Sequence, residues 1–433
     1  MSDLIHADIA VIGAGAAGLM ATIWAARTAR AVNTSQSAAV ITLDGARSLG
    51  AKILVAGGGR CNVTHFHVDE RAFAGSSRNA IKKVLRQFDV QQTVAFFRER
   101  GVELKREDTG KLFPVTDKAR TVLNALLDAA KEAGASIKHP WRVEKVKRTS
   151  TTDDNPWAFT ITGAPGQIRA KRIILATGGM ALPKSGSDGH GYSIAKSLGH
   201  TITPRVFPAL VPLTLPSNHF ICALSGLTLP ATLELRAGTG KRLVSFTNST
   251  LCAHFGVSGP SVLDISRYYL DAVADDPKAH LVINWLPGET LESIDPMLQE
   301  PSRLGVGRRL ADLLPERLAR ELCAQAKVDP SLPGAQLRRE QRRALATLVA
   351  ETPLPITGSR GFTHAEVTAG GVPLSEVHLN SMESRICPGL YLCGEICDVD
   401  GRIGGFNFQW AWSSGYVAGV SAARQVTGDQ DIQ

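Results

Sequence analysis

The chain has 433 residues, of which 44% are hydrophobic and 20% charged, with a net charge of +8 and a pI near 9.2. Those totals suit an ordinary globular protein of two or three domains and exclude disordered and fibrous classes. No stretch approaches the roughly 18 uncharged apolar residues of a membrane span, no signal-peptide core opens the sequence, and the seven cysteines suggest no disulfide framework, so a cytoplasmic address is expected.

Ala7–Ile12 is a short apolar run that leads directly into Gly13-Ala14-Gly15-Ala16-Ala17-Gly18, and Leu19 to Arg30 reads as an Ala-rich helix. A buried strand turning through G-x-G-x-x-G into a helix is the fingerprint of a dinucleotide site. The first glycine makes the turn, the second admits a pyrophosphate, and the third lets helix and strand pack closely. Val40–Leu43 forms a second strand, and the Asp44-Gly45 that closes it puts a carboxylate about 25 residues past the motif, where a ribose would be held.

Gly57-Gly58-Gly59-Arg60-Cys61-Asn62-Val63-Thr64 comes next. Three consecutive glycines suggest that another surface approaches the main chain, with Arg60 and Asn62 placed to donate to it. Residues 78–100 have helical spacing, Val102–Leu104 and Lys111–Pro114 resemble two strands, and Lys118 to Gly134 predicts an amphipathic helix. Trp141–Val146 and Trp157–Ile161 read as paired strands. Lys171–Gly179 returns to the buried-strand pattern, and its small residues Ala176, Thr177 and Gly178 stand at the carboxyl end, where open α/β sheets bind ligands. Tyr192–Leu198 predicts a helix.

From Thr203 to about Arg267, prolines punctuate short β-like runs, whereas 290–350 is helical and Arg-rich. The first texture resumes near Gly361. Gly389–Glu395 predicts a strand ending in Gly394-Glu395, Asp398–Gly405 a glycine-rich turn, and Phe406–Ala423 a helix. The nucleotide fold is therefore expected to be discontinuous: residues 1–203 and 357–433 form it, and 204–356 is inserted, β-rich over 204–285 and helical over 286–356.

Three stretches together, Val11–Ala25, Leu49–Thr64 and Gly389–Gly419, resemble the BaiN-like, or HI0933-like, flavoprotein family, which is also described as NAD(P)/FAD-dependent or aminoacetone oxidase-like. G-G-G-R-C-N-V-T at 57–64, V-T-A-G-G-V at 367–372, D-V-D-G with G-G-F-N-F-Q-W-A at 398–411, and F-G-V-S-G-P at 255–260 carry the likeness along essentially the whole chain. The resemblance implies an α/β, Rossmann-like FAD-binding domain of the glutathione-reductase type, with an inserted β-barrel and helical subdomain. It implies FAD as cofactor, with Gly13, Gly15, Ala16, Ala17 and Gly18 at the pyrophosphate. Asp44, with Gly45, would hold the adenosine ribose, Lys52 would lie nearby, and the Val143 backbone would meet the adenine. Gly58, Gly59, Arg60 and Cys61 would line the flavin and ribityl chain, Glu395 would meet a hydroxyl, and Gly404, Gly405, Phe406 and Asn407 would face the pyrimidine edge. The chain departs from the family at Gly186-Ser187-Asp188-Gly189-His190-Gly191-Tyr192, where Gly-Ser-Thr-Gly-Asp-Gly-Tyr is usual, and at Phe406, where Tyr is more frequent.

FAD carries the redox step, so the protein needs to add orientation, electrostatics and a proton donor. His254, in Cys252-Ala253-His254-Phe255-Gly256, is the one catalytic candidate, while His190 and His364 are weaker. His65 and His67 lack partners at metal-ligand spacing, so no metal is expected. Cys61 reads as a flavin-lining or packing thiol. Gly305-Val306-Gly307-Arg308 lacks the strand and third glycine of a second nucleotide site, so NAD(P)H, if it is the donor, needs a groove of another kind. The expected activity is hydride transfer between flavin N5 and a small organic substrate. The alternatives are an amine or ketone oxidase using O2, and a nucleic-acid-associated flavoprotein that contacts phosphate through the Arg-rich 303–343. The positive charge favours anionic partners, but no basic run is interleaved with aromatics, which weighs against nucleic acid.

Overall fold

The computed structural model describes residues 4–32, 38–152, 155–300 and 304–428. Arg303, in the Arg-rich run, and residues 153–154, between the two paired strands, lie outside them. The chain divides into two compact units: Met1–Pro208 with Glu366–Gln433, and Ala209–Ala365. Among the described residues no helix is long and apolar enough to cross a membrane.

The first unit is built on a sheet whose parallel strands read as near-continuous apolar runs, as strands buried on both faces do. They are β1 (Ile5–Ile12), β2 (Val40–Leu43), β3 (Ser136–Lys138), β6 (Gly166–Leu175) and β7 (Leu390–Leu392), in the spatial order β7-β6-β1-β2-β3. β6 is the pivot. Its last residues, Ile173–Leu175, pair with β7, while Gly166–Ala170 pair antiparallel with β5 (Phe159–Gly163), which in turn pairs with β4 (Val143–Arg148). β3 was not foreseen; it is short and only half-buried, so its pattern is weak.

α1 (Ala16–Val32) follows β1, and the C-terminal helix α3 (Phe406–Thr427) packs along it. Glycine is what allows this contact. A Cβ on Gly415 would sit 2.5 Å from the Ala17 carbonyl oxygen, and one on Gly419 would sit 2.4 Å from that of Ala21. Trp410 and Trp412, both fully buried, belong to two different apolar clusters, and their indole N–H groups donate to the Gly394 and Val63 carbonyls at 3.1 and 2.8 Å. Gln409 is buried between them. It accepts from the Thr64 and Thr93 hydroxyls and donates to the Phe88 carbonyl. Much of the F-N-F-Q-W-A run thus ties the end of the chain to its beginning.

Residues 78–100 form two helices rather than one, Arg78–Leu85 and Val90–Glu99. Asp89 starts the second through a capping box with Gln92, which satisfies orphan N–H groups and so favours a fresh start over continuation.

In the second unit, hydrogen bonds join seven strands in one path: Thr352–Leu354, His280–Asn284, Thr228–Arg236, Arg242–Ala253, Gly256–Ser258, Leu213–Thr214 and Gly358–Ser359. The expected barrel takes this form, its two end strands not paired with each other among the described residues. The β-like reading up to Arg267 gives way earlier than expected, because Gly259-Pro260 opens the helix Pro260–Asp275 with proline at its first position, where no N–H is needed. Helices Leu291–Gln299, Val306–Ala311, Glu316–Gln325 and Arg339–Glu351 follow, sharing a core with the strands around Trp285, Leu318 and Leu345.

Candidate functional site

The three glycines of the opening turn divide into two kinds. Gly13 has φ +104°, and a Cβ there would meet the Ala176 carbonyl at 2.5 Å; a Cβ on Gly18 would lie 1.8 Å from the Gly13 carbonyl oxygen. These two are filled by their neighbours. Gly15 has nothing within 4 Å of where a Cβ would stand, and it lies one residue before a helix with no acid in its first turn. Open space at a helix N-terminus is what a diphosphate requires.

Asp44 is braced at the end of β2. Its Oδ2 accepts from the Ala14 N–H at 2.6 Å and its Oδ1 from that of Ala46 at 2.7 Å, leaving lone pairs for a further donor. Gly45 lies so close to Arg142 that a Cβ would be 2.6 Å from that side chain, and the Trp141 N–H donates to the Asp44 carbonyl. Val143 is therefore carried next to β2's carboxyl end. The unusual Asp188 and His190 belong to the same corner: Arg142 donates to Asp188 at 2.7 Å, and His190 Nε2 is 3.0 Å from the Glu144 carbonyl.

α2 (Ala51–Gly59) loses helical geometry at Ala56, Gly57 and Gly58. Gly58 and Gly59 have φ of +70° and +85°, with open space around the first and only one distant atom near the second. Cys61, also at positive φ, is buried, and burial pushes its thiol up to about 12. Arg60 turns elsewhere. Its guanidinium lies 4.0 Å over the Phe113 ring and donates to Glu107 at 2.6 Å, so at this position the backbone, not the side chain, is left for a ligand. The Asn62 Oδ1 and the Thr177 Oγ1 are buried without a hydrogen-bond partner, the former directly after the glycine loop and the latter beside Gly178. Such orphaned acceptors and glycine cradles fit a large polar cofactor.

Glu395 is fixed by Lys52 Nζ at 2.5 Å on one oxygen and by the Thr368 N–H at 3.0 Å on the other. The Thr368 hydroxyl accepts from the Met180 and Ala181 N–H groups. Thr368 was not singled out from the sequence, although it sits in the V-T-A-G-G-V motif. α3 begins at Gly405, where a Cβ would be 2.5 Å from the Thr64 backbone, while Gly404 is looser. Phe406 stacks on His65 at 4.8 Å, and Asn407 clasps Gly401 through both its N–H and C=O. His65 has both ring nitrogens within 3.0 Å of backbone carbonyls, of His67 and Thr109.

The first unit thus gathers the open glycines, Asp44, the Lys52–Glu395 pair and the start of α3. In the second unit, His254 occupies the exposed turn between strands Arg242–Ala253 and Gly256–Ser258, its ring against Phe255. The Arg360 guanidinium lies 4.5 Å over that Phe255 ring and 2.7 Å from His364 Nε2, and Thr363 is 2.9 Å from His364 Nδ1. Gly305 and Gly307 pack against Pro330 and Ser331, a structural use of the glycines that began like a second motif.

A 3-dehydro-bile acid delta(4,6)-reductase of Clostridium scindens is 33% identical over 96% of this chain and 99% of its own. A ribosomal RNA dihydrouridine synthase of Haemophilus influenzae is 31% identical over 97% and 99%. The solved 3-ketosteroid delta1-dehydrogenase of Sterolibacterium denitrificans shares the fold, with 11% identity, a TM-score of 0.50 and coverage of 98% and 100%. The model of the HI0933-like protein Rossmann domain matches residues 7–421, and with that match and those relatives the chain belongs to the HI0933-like family of Rossmann-type, FAD-binding oxidoreductases.

Proposed function

We propose that this protein is an FAD-dependent reductase that saturates a carbon–carbon double bond conjugated to a carbonyl. One observation carries the reading: two full-length relatives bear names for very different substrates, a bile acid and a ribosomal RNA, yet both names describe the same reduction of a double bond next to a carbonyl. FAD held here, once reduced by NAD(P)H, would supply the hydride from N5. In this reading the FAD-binding domain comprises 1–203 with 357–433, and the segment 204–356 is the insertion. The chain holds the diphosphate with the N–H groups of Gly15 to Gly18 and the ribose with Asp44. Gly58 to Cys61 and Ala176 to Gly178 line the cofactor, and Val143 meets the adenine. The positive end of α3 at Gly404 to Asn407 favours the negative charge that builds up at the pyrimidine edge. His254 is the candidate proton donor, with the Arg360 guanidinium, 2.7 Å from His364 Nε2, over the ring of the neighbouring Phe255.

Support for RNA as the substrate comes from one of those two names and from the net charge of +8; a free small molecule is the other reading. Anaerobic mixing with NADPH or NADH tests the proposal. The expected result is bleaching of the flavin band by one of them, and its return on adding a conjugated enone or a uridine-containing RNA. Bleaching by neither, or reoxidation only by O2 with peroxide release from amines, would overturn it.

A further inference from the structure

The outer face of the sheet's amino-terminal half assembles a basic surface that no single segment displays. Strand register sets Lys147 opposite Thr160, Thr160 opposite Arg169, and Arg169 beside His6; a second row sets Lys145 opposite Thr162 and Thr162 opposite Gln167. The alternate residues Val146, Ile161, Ile168 and Ala7 are buried, so Lys145, Lys147, Arg169 and His6 stand exposed on one side with half-buried threonines between them. At the end of the rows Trp157 stacks on His6 at 4.5 Å, with the Lys171 ammonium 5.4 Å above the indole. Asp8, two residues along β1 from His6, is taken by Lys171 at 2.8 Å and by the Ala39 N–H.

Lys145, Lys147 and Arg169 make no ion pair among the described residues. Lysine on an exposed edge strand discourages sheet-to-sheet association, which accounts for β4. It does not account for Arg169, which is on β6 with a strand on either side. The arginines of the insertion are mixed: Arg320, Arg339 and Arg343 make no ion pair among the described residues but are spread over the helices Glu316–Gln325 and Arg339–Glu351 rather than set in rows. Arg308, Arg309 and Arg342 are paired with Asp312, Glu300 and Asp295, and Arg317 donates to the Ala223 carbonyl.

We propose that the face formed by Lys145, Lys147 and Arg169, flanked by His6 and Trp157, holds the phosphodiester backbone of a single-stranded or looped RNA, and that the Arg-rich insertion is not the main contact. Unpaired cations in rows with an aromatic at their end match a charged strand whose bases can stack. The identity of the polyanion rests on the reading of the protein as a reductase that accepts RNA.

Fluorescence anisotropy of the holoprotein with a labelled 16-nucleotide single-stranded RNA, from 50 to 200 mM salt, tests this. The Lys145→Gln/Lys147→Gln/Arg169→Gln variant is expected to bind at least tenfold more weakly, with the log–log salt slope smaller by about 2. Arg320→Gln/Arg339→Gln/Arg343→Gln should stay within twofold of the native protein. If the triple face variant yields too little holoprotein, Lys147→Glu alone should still weaken binding severalfold. Loss only in the insertion variant, no binding by native protein at 50 mM, or equal competition by polyglutamate would overturn the proposal. Reoxidation of the reduced flavin by a free enone or by a uridine-containing RNA, in the same preparations, reads the reductase assignment separately: RNA binding that follows the expected pattern with reoxidation by neither overturns that assignment and leaves the surface standing.

Discussion

The glycines of α3 and the glycines that end α2 serve opposite ends. Gly415 and Gly419 are glycine because another backbone occupies the space a side chain would need; Gly58 is glycine with empty space beside it and a backbone turned to φ +70°. The first kind secures the fold and the second leaves room for something the fold does not itself contain. Gly13 and Gly18 belong with the first kind, Gly15 with the second, so the same split runs through the opening motif.

Substitutions can break this contrast. Gly419→Ala should have the largest effect, about 2–3 kcal/mol off stability, because the clash is with the Ala21 carbonyl and backbone cannot step aside as a flexible side chain would. A thermal melt matching the native protein would show that the seam tolerates a side chain. Gly15→Ala should do the reverse. Stability should stay within about 0.5 kcal/mol, while FAD affinity falls at least tenfold, or about 1.4 kcal/mol, read by release of flavin fluorescence. Gly58→Ala should fall between, adding about 1–2 kcal/mol of left-handed strain to its loss of FAD.

Cys61 offers a reporter on the same loop. With its thiol pushed up to about 12 by burial and all seven cysteines buried, Ellman's reagent at pH 8 should find almost no thiol in the native protein and seven after denaturation. One fast-reacting thiol in Gly58→Ala would show that the loop's left-handed turn also seals Cys61.

The smallest effect lies outside both regions. Hydrogen bonds from Arg71 hold the Asp69 carboxyl down at about 2. Its folded value is below the unfolded one of about 3.9, so its stabilisation is whole above that pH and is lost as pH falls toward 2. Because the pair is partly exposed, Asp69→Asn should cost under about 1 kcal/mol at pH 7 and nothing at pH 2.

The opening turn was legible because its three glycines fall in one contiguous strand–turn–helix pattern, although the atom that crowds Gly13 belongs to the distant Ala176. The purpose of Gly415 and Gly419 was hidden, since their partner lies almost four hundred residues upstream. The break at Asp89 and the helix after Gly259-Pro260 had local signals, a capping box and a proline at the first turn, that were outweighed by the surrounding periodicity. Arg60, expected as a donor toward a ligand, turns in this structure to Glu107 and Phe113, which come from another hairpin and could not be paired with it from the sequence. The basic face could not be read at all, since strand register alone brings residues 6, 145, 147 and 169 into one array.

The pairing of α1 with α3 also has a consequence in time. A ribosome adding roughly 5–20 residues per second releases α1 early, yet the helix that covers it emerges only some 20–80 s later. Throughout that interval the face of α1 at Ala17 and Ala21 lacks the helix that packs on it in the finished fold.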